Sequence, residues 1–162
     1  MTSPSSAPAH AVTAVPRPYL LFLGDTTEAG FAKTAIGLHD WAPDQCIAEW
    51  QLPGCTVSTG LPTMTPAQAH AAGARALVIG VANRGGVVVA EWLPALVEAL
   101  AAGLDLVSGL HQRLGAIPEL AEAAKRHGRQ LLDVRVPPPG IPVATGRRRR
   151  GKRVLTVGTD CA

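Results

Sequence analysis

The stretch Ala76-Leu77-Val78-Ile79-Gly80-Val81-Ala82 decides the fold. Every position in it is apolar or glycine, so a strand built from it has no polar face to turn toward water. Strands that are apolar on both faces are typical of the centre of a parallel sheet, which helices cover on each side. The stretch therefore predicts an α/β protein with this strand near the middle of its sheet.

The segments on either side of this strand alternate in type. Short apolar runs predict further strands at 19–24, 46–52, 104–107 and 130–136. Apolar residues at helical spacing and capping residues predict helices at 31–41, 65–72, 91–102 and 117–127. Strands that alternate with helices form right-handed βαβ units. We expect a Rossmann-like three-layer domain with a mostly parallel sheet over residues 19–136.

The rest of the chain differs in composition from this domain. Residues 1–18 are rich in Ser, Ala and Pro and lack the basic and apolar regions of a secretory signal, which predicts a disordered tail. Residues 137–153 contain three consecutive prolines and four consecutive arginines, which predicts a linker. Residues 154–162 then begin a new strand. A length of 162 residues otherwise fits one domain.

The distribution of charge excludes some classes of partner. The net charge is +3, but the segment 147–153 holds six of the 15 basic residues, and the remaining nine are set against 12 acidic ones. A nucleic-acid-binding protein spreads Lys and Arg over a docking face, so we expect no nucleic-acid partner. No run approaches the roughly 20 apolar residues of a membrane span. Three cysteines without CxxC spacing favour a reducing cytoplasm.

Polar and glycine-rich segments follow the predicted strands, and they indicate where a ligand binds. In open parallel sheets, ligands bind beyond the carboxyl ends of the strands, where helix N-termini present free N–H groups. Residues 24–27 follow the first strand and Arg135 follows the last one. The segments after the two strands between them supply the candidate substrate-binding residues, which are Asn83, Arg84, Gly85, Gly86, Ser108, Gly109, His111 and Arg113.

Two of these features have both a functional and an ordinary interpretation. In Asn83-Arg84-Gly85-Gly86, the glycines allow close backbone approach and the arginine offers a planar fork for a carboxylate or phosphate. The alternative is a tight turn with a solvated arginine. His111 is the best candidate for a catalytic acid or base, and the alternative is a histidine that only packs or caps.

Other chemistry is absent or weakly indicated. Lys33-Thr34 resembles the end of a phosphate loop, but Gly30 stands three residues before the lysine, so we assign Lys33 to a helix face. A GxGxxG fingerprint is missing after the first strand, which counts against an NAD-dependent oxidoreductase. We find neither metal-ligand spacing nor a nucleophile elbow, and predict no metal site.

The end of the chain has the pattern of a truncated Walker A loop. Residues 154–157 predict a strand, and Gly158 stands where the first glycine of such a loop stands. The second glycine, the lysine and the hydroxyl residue fall beyond residue 162. On this pattern the phosphate-binding residues are Gly158, Thr159, Asp160 and Cys161. The alternative is an ordinary terminal strand and turn.

Several stretches, taken in order, resemble one known family. They are Leu77-Val78-Ile79-Gly80, Asn83-Arg84-Gly85-Gly86, Ala102-Gly103-Leu104-Asp105, Ser108-Gly109-Leu110-His111, Asp133-Val134-Arg135, Ala144-Thr145-Gly146 and Val157-Gly158-Thr159-Asp160-Cys161, with Ala32-Lys33-Thr34-Ala35 and Gly37-Leu38 upstream. Together they are similar to the amino-terminal part of a bacterial and archaeal P-loop family, catalogued as a domain of unknown function. One branch of it is described as D-glutamate N-acetyltransferase. The resemblance covers residues 19–162.

The resemblance implies a fragment that ends inside its phosphate loop. The absent partner is then a carboxyl-terminal P-loop domain, and the full-length family uses acetyl-CoA, ATP with Mg²⁺, or both, whereas the fragment alone binds no cofactor and is inactive. We expect a small acidic ligand near Arg84 and His111, and a homo-oligomer. Two alternatives stay open. One is a non-catalytic module for oligomerisation or domain positioning, and the other is a nucleotide-binding oxidoreductase-like domain.

Overall fold

The structure, a computed structural model, describes residues 14–137 and 150–151. The candidate phosphate loop at 154–162, most of the predicted linker and residues 1–13 of the predicted tail lie outside the described residues. Within the described part of that tail, Val15 packs against the protein core, and the Pro18 carbonyl accepts a hydrogen bond from Arg75 N at 2.9 Å.

Five strands and four helices alternate along the chain. The strands are β1 (Tyr19–Gly24), β2 (Cys46–Gln51), β3 (Ala76–Ile79), β4 (Asp105–Ser108) and β5 (Leu131–Asp133). The helices are α1 (Lys33–Trp41), α2 (Pro66–Ala71), α3 (Leu93–Ala101) and α4 (Pro118–His127). Short 3₁₀ turns precede α1, β2, α3 and α4. The predicted elements are therefore present, in the predicted order.

The five strands form one sheet in the order β2-β1-β3-β4-β5, and every neighbouring pair is parallel. This confirms the predicted α/β fold with its parallel sheet. The chain moves outward from β1 to β2 and then crosses back to β3 on the other side of β1. The carboxyl ends of β1 and β3 are consequently the topological switch point, where open α/β sheets bind ligands.

Alternate residues of the central strands pack into different layers. In β1, Leu20 and Phe22 belong to one buried cluster, which also contains residues of α3 and α4, whereas Leu21 and Leu23 belong to a second cluster on the other face of the sheet, with Ala35 of α1. Each of these four β1 side chains is fully buried. Helices on both faces thus explain why the strand sequence carries no polar face.

Gly80, just after β3, allows α1 to approach the sheet closely. A Cβ atom on Gly80 would stand 2.5 Å from the Ala35 Cβ and 3.0 Å from the Phe22 carbonyl oxygen. Ala35 N donates a hydrogen bond of 3.0 Å to Gly80 O, and Gly80 N donates one of 2.9 Å to Phe22 O. The start of α1 is thereby fixed against the carboxyl end of β3.

Glu49 holds the long segment that follows β2. Its carboxylate is 1% exposed and accepts hydrogen bonds of 2.6 Å from Ser58 Oγ and from both the N–H and the Oγ1 of Thr59, as well as one of 3.2 Å from Gln51. Residue Thr63 forms a parallel bridge with Glu49. The segment therefore lies along the outer edge of β2, and no sequence pattern pointed to this role of Glu49.

The predicted boundaries differ from the structure at the ends of elements. The strand predicted at 130–136 ends at Asp133, because Val134 N donates to Ser108 O and Val136 N donates back to Asp133 O in a turn. The helix predicted from residue 31 begins at Lys33, after a 3₁₀ turn. None of the helices among residues 14–137 combines the length and the apolar character that crossing a membrane requires.

Candidate functional site

A surface cavity of about 300 Å³ lies at the carboxyl edge of the sheet, beside the switch point. The segments that follow β1, β3, β4 and β5 all contribute to its wall. The lining residues are Gly30, Phe31, Lys33, Ala82, Asn83, Arg84, Gly86, Gly109, Leu110, His111 and Arg135. We call this the first cavity. Its position agrees with the general location of ligands in this class of sheet.

The structure brings five of the eight candidate substrate-binding residues into this cavity. These five are Asn83, Arg84, Gly86, Gly109 and His111. The other three lie elsewhere, and they are Gly85, Ser108 and Arg113. The sequence grouped all eight because they follow neighbouring strands, but only some positions of a loop face the ligand side.

Ser108 and Gly85 shape the backbone and do not line the cavity. The Ser108 side chain is fully buried, and its Oγ accepts a hydrogen bond of 3.1 Å from Leu110 N. Gly85 has a φ of +86° in a turn that Gly86 N closes onto Asn83 O at 3.0 Å. A positive φ at this third turn position favours glycine. The structure therefore shows a backbone role for Ser108 and Gly85, and their part in substrate binding stays a prediction.

Asn83 fixes the loop that presents Arg84. Its Nδ2 donates a hydrogen bond of 2.9 Å to Val87 O, and its Oδ1 accepts one of 3.1 Å from Val87 N. Both ends of the carboxamide are thus bonded to the same residue across the loop. Arg84 stands exposed between these anchors. The main observed role of Asn83 is to hold the loop.

Gly86 and His111 join the loop after β3 to the loop after β4. Gly86 O accepts hydrogen bonds from His111 N at 2.8 Å and from Gln112 N at 3.0 Å. A Cβ on Gly86 would overlap the His111 ring and approach His111 N at 3.0 Å. Val88 N also donates a hydrogen bond of 2.9 Å to Gln112 Oε1. The position of the His111 ring consequently depends on glycine at position 86.

Lys33 and Arg135 complete the lining. The sequence assigned Lys33 to a helix face, and it is the first residue of α1, where it also lines the first cavity. The spacing of a Walker A loop did not reveal it, because this loop has a different length. A search for basic residues at the start of a helix after β1 would have found it. Arg135 follows β5, as expected from the sequence.

All ionisable groups in the wall of the first cavity are basic. Lys33, Arg84 and Arg135 carry permanent positive charges, His111 adds an imidazole, and no carboxylate lines this cavity among the described residues. The guanidinium groups of Arg84 and Arg135 donate no hydrogen bond to a described residue, in contrast to Arg129, which donates to Gly103 O at 3.1 Å. Such a cavity suits an anion, because arginine forks match carboxylates and phosphates.

A second cavity of about 280 Å³ adjoins the first. Its wall contains Arg113, together with Asp133, Val136 and Pro137. Asp133 Oδ1 accepts a hydrogen bond of 3.0 Å from Leu114 N. The two cavities share three residues, which are Leu110, His111 and Arg135. We call these three residues the common wall.

The segment after β1 contributes less than its sequence suggests. Asp25 Oδ1 accepts a hydrogen bond of 2.9 Å from Trp92 Nε1. Thr56 N donates to Thr26 O at 3.1 Å, and Thr56 Oγ1 donates to Thr27 O at 3.2 Å. Residues 25–27 line neither cavity. They connect the first strand to the 3₁₀ turn before α3 and to the segment after β2.

The cysteine and metal chemistry of the described residues is limited. Burial raises the pKa of the Cys46 thiol, which lies in the core at the start of β2 and stays protonated at neutral pH. Residues 14–137 and 150–151 hold no group of three or more His, Cys, Asp or Glu side chains that could bind a metal ion.

Comparisons with known proteins agree with this architecture. A family model described as the domain of unknown function DUF1611_N, a Rossmann-like domain, matches residues 50–137. A DUF1611 family protein from Anabaena variabilis, known from its crystal structure, is 27% identical with a TM-score of 0.63. That match covers 81% of this chain and 40% of the other.

Two curated proteins are similar over almost the whole chain. Proteins named D-glutamate N-acetyltransferase from Tritonibacter scottomollicae and from a Pseudoalteromonas species are 55% and 45% identical to it over 145 residues. Each match covers 90% of this chain but only 44% of the relative. The chain thus spans less than half the length of the curated relatives it matches.

Proposed function

Since the chain belongs to the DUF1611 family, we propose that it forms the amino-terminal, substrate-binding domain of an N-acetyltransferase that acts on a small acidic amino acid. The relatives named D-glutamate N-acetyltransferase support this proposal, and so does the predicted ligand class. Because these relatives are more than twice as long as the matched region, we assign the complete reaction to the longer protein and only substrate binding to this domain.

The basic lining of the first cavity is the observation that carries the proposal. At neutral pH, glutamate presents two carboxylates, because their pKa values lie far below 7. Arg84, Arg135 and Lys33 surround the cavity without a carboxylate among them. The described domain as a whole carries more acidic than basic residues. Positive charge is therefore concentrated where an acidic substrate would bind.

His111 is the proposed acid–base group. Acetyl transfer to an amine forms a C–N bond between the amino nitrogen and the acetyl carbonyl carbon, while the bond from that carbon to the donor breaks. The amino group must first lose a proton, and an imidazole is suited to accept it. This proton would pass to the departing thiolate of an acetyl-CoA donor, and the second proton, lost from the nitrogen after the C–N bond forms, would pass to solvent. In this proposal Gly86 sets the position of the ring.

We further propose that the longer protein binds its second ligand through the region after residue 153. Gly158, Thr159, Asp160 and Cys161 would begin a phosphate loop whose lysine and hydroxyl residue follow residue 162. Acetyl-CoA, ATP with Mg²⁺, or both would bind there. The sequence of the longer protein tests this directly, because Gly-Lys-Ser or Gly-Lys-Thr should follow within a few residues.

Replacing Arg84 tests the assignment of the substrate. Arg84→Ala in the full-length protein should weaken binding of D-glutamate by about 1.5–3 kcal/mol, the usual effect of losing a charged hydrogen bond. Isothermal titration calorimetry measures this change. Arg126→Ala is the matched control, since Arg126 is an exposed arginine in α4, away from both cavities. Equal affinity in the two variants would remove Arg84 from the site.

A further inference from the structure

Exposed apolar side chains gather around the two cavities. Four large apolar residues among those described are markedly exposed, namely Trp41, Val87, Val134 and Val136. Three of them lie at the carboxyl edge of the sheet, whereas Trp41 ends α1. We call the surface formed by Val87, Val134 and Val136 the valine rim.

Each residue of the valine rim is tied to a cavity. Val136 lines the second cavity. The Val134 Cγ2 atom is 3.9 Å from the position of a Cβ on Gly109, and Gly109 lines the first cavity. The backbone N–H and carbonyl of Val87 form hydrogen bonds with the side chain of Asn83, which lines the first cavity. A single exposed valine is ordinary, but three around one site indicate a surface that another surface covers.

The site is open in the domain alone. Arg84, His111, Arg113 and Arg135 are all exposed to solvent. Keeping water away from a group-transfer site favours the reaction, because water weakens the electrostatic contacts to the substrate and can compete as a nucleophile. A cover over the valine rim would supply this exclusion.

The cover can be identified from the length and path of the chain. The curated relatives extend well beyond the matched region, which is 44% of their length. Pro137 lies in the wall of the second cavity, so the segment that follows it starts beside the valine rim. The Arg147–Arg150 run is poorly suited to cover the valine rim, because its positive charges would be repelled by the basic residues of the cavities beneath.

We propose that the valine rim is the docking surface for the remainder of the full-length protein, which closes over the common wall and completes the site between the two parts. This inference rests on the proposed function, which treats the chain as part of a longer protein and supplies the reason to exclude water. The covering surface should therefore present apolar side chains to Val87, Val134 and Val136 and leave the arginines facing the substrate.

Thiol accessibility in the full-length protein tests the proposal. Val134→Cys and Val136→Cys, each made singly, should react with a maleimide at least about tenfold more slowly than Trp41→Cys, read peptide by peptide by mass spectrometry so that native cysteines do not interfere. In the described domain, the exposed fractions of Val136 and Trp41 are 42% and 90%, so exposure within the domain alone explains only about a twofold difference.

The outcomes separate this proposal from its rivals and from the proposed function. Protection of positions 134 and 136 that is independent of protein concentration supports it. Labelling rates that match Trp41→Cys overturn it, and protection that disappears on dilution overturns it in favour of a second copy of the chain. Because no substrate is present, the result does not depend on whether the first cavity binds D-glutamate.

Discussion

Gly86 shows how much of the site depends on one missing side chain. Its φ is +60°, and the space that a Cβ would fill is taken by the ring of His111. Gly85 beside it has a φ of +86°, but nothing lies within 4 Å of the position of its Cβ. The two neighbouring glycines are therefore constrained in different ways, one by backbone conformation and a contact, the other by backbone conformation alone.

This difference gives a prediction with an internal control. Gly85→Ala and Gly86→Ala should each lose about 1–2 kcal/mol of unfolding free energy for placing alanine at positive φ. Gly86→Ala should in addition displace His111 and reduce acetyl transfer by roughly tenfold or more, because small misplacements of catalytic groups are costly. Urea unfolding and enzyme assays of the full-length protein measure both effects. Equal activity of the two variants would contradict the role given to Gly86.

At this scale the sequence predicted which loops line the first cavity better than it predicted the role of each residue. Arg84 and His111 were found because arginine and histidine after a buried strand are unusual and chemically informative. The Ser108 hydroxyl accepts a hydrogen bond from Leu110 N, and the sequence does not predict this contact because it depends on the turn after β4. Lys33 was missed as a cavity residue because the loop after β1 lacks the spacing of a Walker A loop, which was the pattern searched for.

At the scale of elements, the contact between α1 and β3 is decided by Gly80. Gly80→Ala would place a methyl group 2.5 Å from the Ala35 Cβ, so α1 must move away from the sheet. We expect a loss of about 1–3 kcal/mol of unfolding free energy, the usual effect of overpacking. Because α1 also carries Lys33, D-glutamate affinity should fall as well.

Gly37→Ala is the control for this prediction. Gly37 lies within α1, and nothing stands within 4 Å of the position of its Cβ. Alanine there should stabilise the protein by about 0.5–1 kcal/mol, because it lowers the entropy of the unfolded chain and favours the helix. Thermal or urea unfolding compares the two variants. A stabilising Gly80→Ala would refute the close packing of α1 against β3.

The sequence predicted which segments are helices and which are strands, but it did not predict the residues at which they end. Uninterrupted apolar runs are strong strand signals, and Thr65 with Gln68 forms the reciprocal cap that starts α2. Val134 and Val136 flank Arg135 in the turn after β5, and this alternation resembles a strand, because nothing local indicates that β5 stops after three residues. Its end depends on where β4 ends, which is a tertiary constraint.

At the scale of the whole molecule, separation of charge is the main electrostatic feature. If the first cavity binds an acidic amino acid, D-glutamate at ten times its dissociation constant should stabilise this chain by about 1.4 kcal/mol and raise its melting temperature by several degrees. D-Glutamine, which lacks one carboxylate, should raise it less. Differential scanning fluorimetry measures both shifts. Equal shifts would contradict recognition of two carboxylates, and no shift with either would favour a non-catalytic module.

The parallel sheet and its layers could be deduced, because buried strands and amphipathic helices pack in few ways. The order of the strands could not be deduced. Either β2 or β3 can pair with either side of β1, because all these strands are largely apolar, and only the direction of each crossover decides between the arrangements. The position of the switch point, and hence the choice of rim segments that share a cavity, follows from that order.

The common wall has a thermodynamic consequence for the two compartments that it separates. His111 and Arg135 face both, so an anion bound on one side partly neutralises the potential felt on the other. Two anionic ligands, one in each cavity, must then bind with negative cooperativity. By reciprocity, each lowers the affinity of the protein for the other by the same factor. A neutral or cationic group in the second compartment would escape this antagonism, so occupancy of the pair favours molecules of unlike charge.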